Sequence, residues 1–156
     1  LLNRRAFLER CLQNQQRFTR YQQRFSLLML DLDHFKALND RLGHPAGDYV
    51  LKEVSRQLRR SLREIDSLAR WGGEEFCIML PQEQEQEAMQ LAQRLGHTLA
   101  SLPLQWQGEA VHITASIGVA TLNASGETTD NLIARADAAM YQAKAAGRNR
   151  SWLALP

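Results

Sequence analysis

Arg70-Trp-Gly-Gly-Glu-Glu-Phe-Cys-Ile-Met-Leu80 is the stretch on which the reading of the whole chain turns. A glycine pair, followed at once by two carboxylates, interrupts sequence that is otherwise strand-like. Paired glycines let the backbone take positive φ at both positions of a tight two-residue hairpin. The stretch therefore predicts a hairpin with Glu74 and Glu75 at its tip and Phe76 to Leu80 as the returning strand. Ordinary turn-making would be served by Asn-Gly or Asp-Gly. Two acids on a rigid turn, with bare backbone beside them, instead suit a polyphosphate carrying its metal ion.

Outward from the turn, the remaining elements fall into order. Residues 3 to about 24 form an amphipathic pattern, with Phe7, Cys11, Phe18 and Tyr21 near helical spacing. Phe25 to Asp33 (FSLLMLDLD) is a continuous apolar run ending in two acids, as in a central strand buried on both faces. A short helix is expected from Phe35 to Arg41, then a Gly-His-Pro-Ala-Gly loop. The next helix runs to about Leu62 with Val50, Val54, Leu58 and Leu62 on one face, and Pro45 suits the loop or its first turn. After the hairpin, Pro81 ends the strand, and a helix from about Glu83 to Ala100 carries Ala88, Ala92, Leu95 and Leu99. Val111 to Ala120 alternates like a strand. Thr128 to Ala146 reads as the last helix, with Thr128, Thr129 and Asp130 as capping candidates and Gly147 closing it, before a strand from Ser151 to Leu155.

This order predicts an α+β fold, a central mainly antiparallel sheet flanked by helices in the ferredoxin-like manner. The whole span, 1–156, reads as one domain, since there is no repeat, low-complexity tract or linker. It opens without methionine and is expected to be cut from a longer protein. A net charge of +2 is too small to imply nucleic acid or an acidic membrane as partner, and no apolar run spans a bilayer. Cys11 and Cys77 read as small core residues in a reducing compartment. In such a sheet the strand end Asp31-Leu32-Asp33 can lie beside the hairpin, so that Asp31, Asp33, Glu74 and Glu75 converge. Hard oxygen ligands favour Mg²⁺, which takes one or two carboxylates plus phosphate oxygens and water. Phosphoryl or nucleotidyl transfer is the chemistry reached this way.

The segments DLDHFKALND-RLGHPAGD, RWGGEEF, SIGVA and ADAAMYQAKAAGRNR, in this order and spacing, closely resemble the GGDEF domain of diguanylate cyclases in its GGEEF form. The resemblance runs from Leu2 to Arg150. It implies the nucleotidyl-cyclase palm as fold, and condensation of two GTP into cyclic di-GMP and two pyrophosphate. It also implies two Mg²⁺ per active site, with Mn²⁺ able to substitute. Each subunit of a homodimer would hold one GTP, and the location implied is cytoplasmic, with any membrane attachment made through a region N-terminal to this chain.

Residue by residue, the resemblance makes Asp31 the strand-end metal ligand with the Leu32 carbonyl beside it. Glu74 becomes the second carboxylate ligand, which helps to deprotonate the 3′-hydroxyl, and Glu75 an auxiliary ligand. Gly72 and Gly73 would let backbone pack on phosphate. Asn39 and Asp48 resemble the guanine-reading pair, His44 shapes the base or ribose pocket, and Lys36, Lys144 and Arg148 balance triphosphate charge. The last two are i, i+4 and are expected on one face of the closing helix. Arg63-Glu-Ile-Asp66, with five residues between Asp66 and Gly72, resembles the family's RxxD site of product inhibition, with Arg94 as a further arginine contact.

Plainer readings stand beside these. Asp33 would serve equally as a helix cap. Glu74 and Glu75 could be solvated turn acids, Asn39 a turn former and His44 a surface loop residue. Lys144 and Arg148 could stabilise a helix C-terminus. Arg63 and Asp66 could form a surface pair worth at most about 1 kcal/mol. The six arginines from Arg4 to Arg24 read as a solvated face. At the level of the protein, the alternative to an active cyclase is a catalytically silent GGDEF domain that binds GTP or cyclic di-GMP as a sensor or interaction module. An RNA-binding module is the weaker third class, because no row of exposed aromatics is evident for base stacking.

Overall fold

The computed structural model describes residues 1–123 and 126–156. Its first half runs α1 (Arg4–Tyr21), β1 (Phe25–Leu32), α2 (Phe35–Leu42), α3 (His44–Ser61), β2 (Ser67–Arg70) and β3 (Glu75–Pro81). Its second half runs α4 (Glu85–Ala100), β4 (Leu104–Trp106), β5 (Glu109–Val111), β6 (Ala115–Thr121), α5 (Thr129–Ala145) and β7 (Arg150–Leu153). Five strands form one sheet in the order β2-β3-β1-β6-β7, antiparallel except for β6 with β7. The expected α+β class and sheet type are therefore met.

The unbroken apolar run of β1 has a direct cause. Leu28, Leu30 and Leu32 pack into a core with α2, α3 and α4, among them Phe35, Val54 and Ala92. Phe25, Leu27 and Met29 pack into a second core with Phe7, Cys11 and Phe18 of α1 and with Leu132, Ala136 and Met140 of α5. Successive side chains alternate across a strand, so both faces of β1 need apolar residues. The same parity sends Asp31 to the α5 side. There α5 lies directly on β6: a Cβ on Gly118 would stand 2.0 Å from the Ala136 carbonyl oxygen and 2.3 Å from the Met140 nitrogen. That close approach fixes how α5 presents its C-terminal end to the sheet.

Helix boundaries follow their caps. Asn3 accepts from the Ala6 amide at 2.8 Å to start α1, Pro45 occupies the first turn of α3, and Thr128 accepts from the Asn131 amide to start α5. Two sequence expectations need correction. Tyr21 is exposed in the last turn of α1, because Gln22 leaves the helix in left-handed conformation. The single strand expected from Val111 to Ala120 is two: Val111 belongs to a β4–β5 ribbon, and the sheet strand starts at Ala115. The ribbon turns at Gln107 (φ 50°) and Gly108 (φ 80°) between the paired residues Trp106 and Glu109. Both cysteines are buried thiols. Among the described residues no helix is long and apolar enough to cross a membrane.

Candidate active site

The β1–β3 register sets Asp31 directly opposite Glu75, so their side chains leave the same face of the sheet. Asp31 is buried, and Lys144 of α5 donates to its Oδ2 at 2.7 Å. Even so, the Asp31 carboxyl is pushed above the usual carboxylate range. Burial is the main cause, Lys144 opposes it, and the charges of Glu74 and Asp33 add to it. Glu75 is also pushed up, first by burial and then by Asp31 and Asp137, with Lys144 again opposing. Burial therefore outweighs the single lysine at both carboxyls, and a further cation would favour their charged forms. Asp137 was missed in the sequence. The signal was its spacing of seven residues, two helical turns, from Lys144.

The glycine turn is not the tight hairpin expected. Neither Gly72 nor Gly73 has positive φ, and the chain takes four residues, Trp71 to Glu74, to pass from β2 to β3. The Trp71 and Gly72 amides both donate to the Glu75 carbonyl oxygen, at 2.7 and 3.3 Å. Two arginines brace the turn. Arg70 donates to the carbonyl oxygens of Gly72 and Gly73, its shortest bond being 2.7 Å. Arg4 donates to the Trp71 carbonyl oxygen at 2.6 Å and stacks 4.2 Å over the indole, against which Phe7 packs edge-on. Arg4 is thus no mere solvated charge. A Cβ on Gly73 would meet nothing within 4 Å, and one on Gly72 only the Glu75 side chain. Among the described residues the amides of Gly73 and Glu74 donate to no backbone group. The turn therefore offers bare backbone and N–H donors outward, next to the acids.

Leu32 ties the same corner together, donating its amide to the Glu74 carbonyl oxygen at 3.2 Å. From there Asp33 and His34 lead into α2. Asp33 does not cap that helix: the N-cap is His34 (φ 55°), with no side-chain cap bond. Asp33 instead accepts from Ser116 Oγ at 2.7 Å, Thr114 Oγ1 at 2.6 Å and the Asn149 amide at 2.9 Å. These bonds occupy both oxygens of Asp33, so the expected convergence of four acids is not met: Asp31 and Glu75 stand opposite each other, and Glu74 adjoins Glu75 in the chain.

Asn39 of α2 packs against Gly47 of α3, the residue before Asp48. A Cβ on Gly47 would lie 1.9 Å from Asn39 Oδ1, so only glycine at position 47 leaves room for the amide. Asn39 Oδ1 is buried and has no hydrogen-bond partner among the described residues, an unmet acceptor. Asp48 and His44 on α3 and Lys36 on α2 are exposed. Lys144 lies in the last turn of α5, but Arg148 does not share its helical face. The helix ends at Ala145, and Arg148 follows Gly147 (φ 121°) in a turn, itself at φ 63°. Two successive left-handed residues there, Arg148 and Asn149, break the helical spacing that the sequence suggested.

The family described as "Diguanylate cyclase, GGDEF domain" matches residues 1–150. The chain belongs to the GGDEF family. This GGDEF domain is 43% identical over 150 residues to diguanylate cyclase DgcP of Pseudomonas aeruginosa, covering 96% of the chain and 22% of that protein. Among solved structures it resembles diguanylate cyclase SiaD, in complex with its activator SiaC, from the same species: TM-score 0.94, 42% identity, 99% of this chain and 59% of that one. The GGDEF domain of DgcB from Caulobacter crescentus, in complex with c-di-GMP, superposes with TM-score 0.93 at 33% identity, covering 98% of this chain and 91% of that one. The domain thus spans about a fifth of the length of DgcP.

Elsewhere on the GGDEF domain, Arg63, Asp66 and Arg94 line one depression of about 200 Å³. Asp66 is buried and accepts from the Arg63 amide at 2.8 Å and from its guanidinium at 2.9 and 3.2 Å, so it is no loose surface pair. The same guanidinium donates to the Pro81 carbonyl oxygen and pairs with Glu83; its bond to Asp66 first, and the charges of Asp66 and Glu83 after it, hold the Arg63 pKa up against burial. Pro81 and Glu75 are the two ends of β3, six residues apart, so the trio lies about 20 Å along the strand from the acids.

The donor set at the acid end fits Mg²⁺. Asp31 and Glu75 supply hard oxygens in cross-strand register, and Glu74 adjoins Glu75 in the chain. Among the described residues no three acid, histidine or cysteine groups stand close enough to hold an ion unaided. That also suits Mg²⁺, which completes its shell from phosphate and water.

Proposed function

We propose that this domain is a diguanylate cyclase that condenses two GTP into cyclic di-GMP and two pyrophosphate, acting as a homodimer in the cytoplasm. The observation that carries the reading is the Asp31–Glu75 register beneath a glycine turn whose outer face is bare backbone. Asp31, Glu74, Glu75 and the Leu32 carbonyl would hold two Mg²⁺, or Mn²⁺ in its place. When bound, the metal supplies charge neutralisation at the triphosphate and acidifies the attacking hydroxyl. Asn39, through its unmet amide oxygen, and Asp48 bind the guanine edge, with His44 beside the ribose. The Gly73 and Glu74 amides, Lys36, Lys144 and Arg148 bind and orient the phosphates. On substrate binding Lys144 exchanges its bond to Asp31 for one to phosphate. Glu74 takes the proton from the 3′-hydroxyl. That oxygen attacks the α-phosphorus of the GTP held by the partner copy, the bond to the β-phosphate oxygen breaks, and pyrophosphate leaves. The reciprocal attack closes the ring.

Product bound at Arg63, Asp66 and Arg94 lowers the activity, a reading supported by their shared depression. The test is incubation of the purified chain with GTP and Mg²⁺ at several protein concentrations. Cyclic di-GMP should form, with specific activity rising with concentration, and Glu74→Ala should abolish it. GTP binding without product at any concentration would sink the enzyme reading in favour of a nucleotide-binding sensor module. Arg63→Ala should relieve product inhibition with initial turnover retained; unchanged inhibition would overturn the site. Because Arg63 also satisfies buried Asp66, the variant should lose about 1–3 kcal/mol of stability.

A further inference from the structure

We infer that Asp33 is a positioning residue, holding the strained turn that carries Arg148 at the phosphate end of the nucleotide site; the inference rests on the cyclase reading above. Gly147, Arg148 and Asn149 follow one another at φ 121°, 63° and 50°. Left-handed backbone costs a residue such as Arg148 about 1–2 kcal/mol, and asparagine less, and it persists only where its surroundings over-determine it. Part of that restraint is local: the Arg148 amide donates to the Ala143 carbonyl oxygen at 3.0 Å, and Arg150 Nε donates to the Arg148 carbonyl oxygen at 3.0 Å. The Asn149 amide instead reaches Asp33 Oδ2 at 2.9 Å, joining the turn to the strand end two residues beyond Asp31.

Asp33 is itself fixed. Its side chain is buried, and the hydroxyls of Ser116 and Thr114 orient the carboxylate from β6 and the residue before it. One carboxylate therefore sets the separation between the acid that would face the metal and the arginine that would face the phosphates. Arg148 lies beyond Ala145, the last residue of α5, and the helix holds it only through the bond of its amide to the Ala143 carbonyl oxygen. Its guanidinium starts from wherever this turn puts it.

The role predicts a pattern that a metal-supporting charge would not give. In Asp33→Asn the amide oxygen can replace Oδ2 toward Asn149 and Thr114, while the amide NH₂ donates to the Ser116 hydroxyl, which also accepts. Geometry survives and charge is lost. The measurement is the affinity for a non-hydrolysable GTP analogue with Mg²⁺, by calorimetry on the full chain, alongside the thermal midpoint. Asp33→Ala should bind about tenfold more weakly, the size of one lost charge-assisted contact, and Asp33→Asn within about twofold of the unaltered chain. Arg148→Ala should match Asp33→Ala, and the double variant should be no weaker than either single one. Ser116→Ala, which removes one of the two hydroxyls orienting the carboxylate, should weaken binding by less than Asp33→Ala.

Asparagine as damaging as alanine, or additive losses in the double variant, would overturn the inference. If Asp33→Ala does not fold, Asp33→Asn decides: affinity retained supports the inference, and a loss equal to that of Arg148→Ala overturns it. A chain that binds the analogue and yields no cyclic di-GMP overturns the cyclase reading and leaves this one standing. A chain that does not bind overturns both.

Discussion

At Gln107-Gly108 the chain reverses in two residues, both left-handed, between the paired Trp106 and Glu109; at Trp71 to Glu74 it takes four residues, and neither glycine is left-handed. The first turn needs its glycine for backbone conformation and does nothing else with it. In the second, a Cβ on Gly73 would strike no atom of the protein. Glycine there serves neither the turn nor the packing, which leaves the space outside the turn as its reason. The Glu75 side chain borders the neighbouring Gly72, Glu75 stands opposite Asp31, and two arginines hold the turn through its carbonyl oxygens.

Substitutions at the two turns should separate these reasons. Gly73→Ala is expected to lower turnover by about 100-fold or more, because a methyl group displaces phosphate by the order of 1 Å, while the thermal midpoint stays put. Equal loss of stability and activity would erase the distinction. Arg70→Met, which frees the Gly72 and Gly73 carbonyls, should lower kcat/KM by about tenfold, as expected for loss of one charged hydrogen bond, again with little change in midpoint; unchanged kinetics would show that Arg4 alone sets the turn. Gly108→Ala should do the reverse, costing about 1 kcal/mol in a urea titration with turnover unchanged.

The smallest effect is on thiol chemistry. Burial pushes the Cys11 thiol up to about 12 and that of Cys77 well above its ordinary value, so both stay protonated and unreactive near pH 8. Alkylation should proceed only at the rate of unfolding. Fast labelling of Cys77 would mean that the openness of the turn extends into β3.

Much of this was legible beforehand, for identifiable reasons. β1 was readable because burial on both faces leaves no polar gap, and α4 because Ala88, Ala92, Leu95 and Leu99 mark one stripe, all buried. The β4–β5 ribbon was not, since three-residue strands show too little alternation and Gln-Gly is a weak turn signal. At the site, glycine identity disclosed a special backbone but not which kind, because conformational and spatial demands select the same residue. The sequence offers Asp33 two roles, metal support and helix cap, and neither names its partners. Its partners, Thr114, Ser116 and Asn149, lie over 80 residues away, beyond what local sequence can pair. Asp137 needed the folded charge balance to be noticed.

The alternation along β1 has one more consequence. Its even residues fill one core, its odd residues another, and the acid that matters is an odd residue at the end. The strand behaves like a reading frame: inserting or deleting one residue between Phe25 and Asp31 would exchange both cores and turn the carboxylate away from Glu75 and Lys144 at once. Length variation among relatives should therefore collect where no such frame is kept, in the connection from α4 to β6, and be absent from this strand.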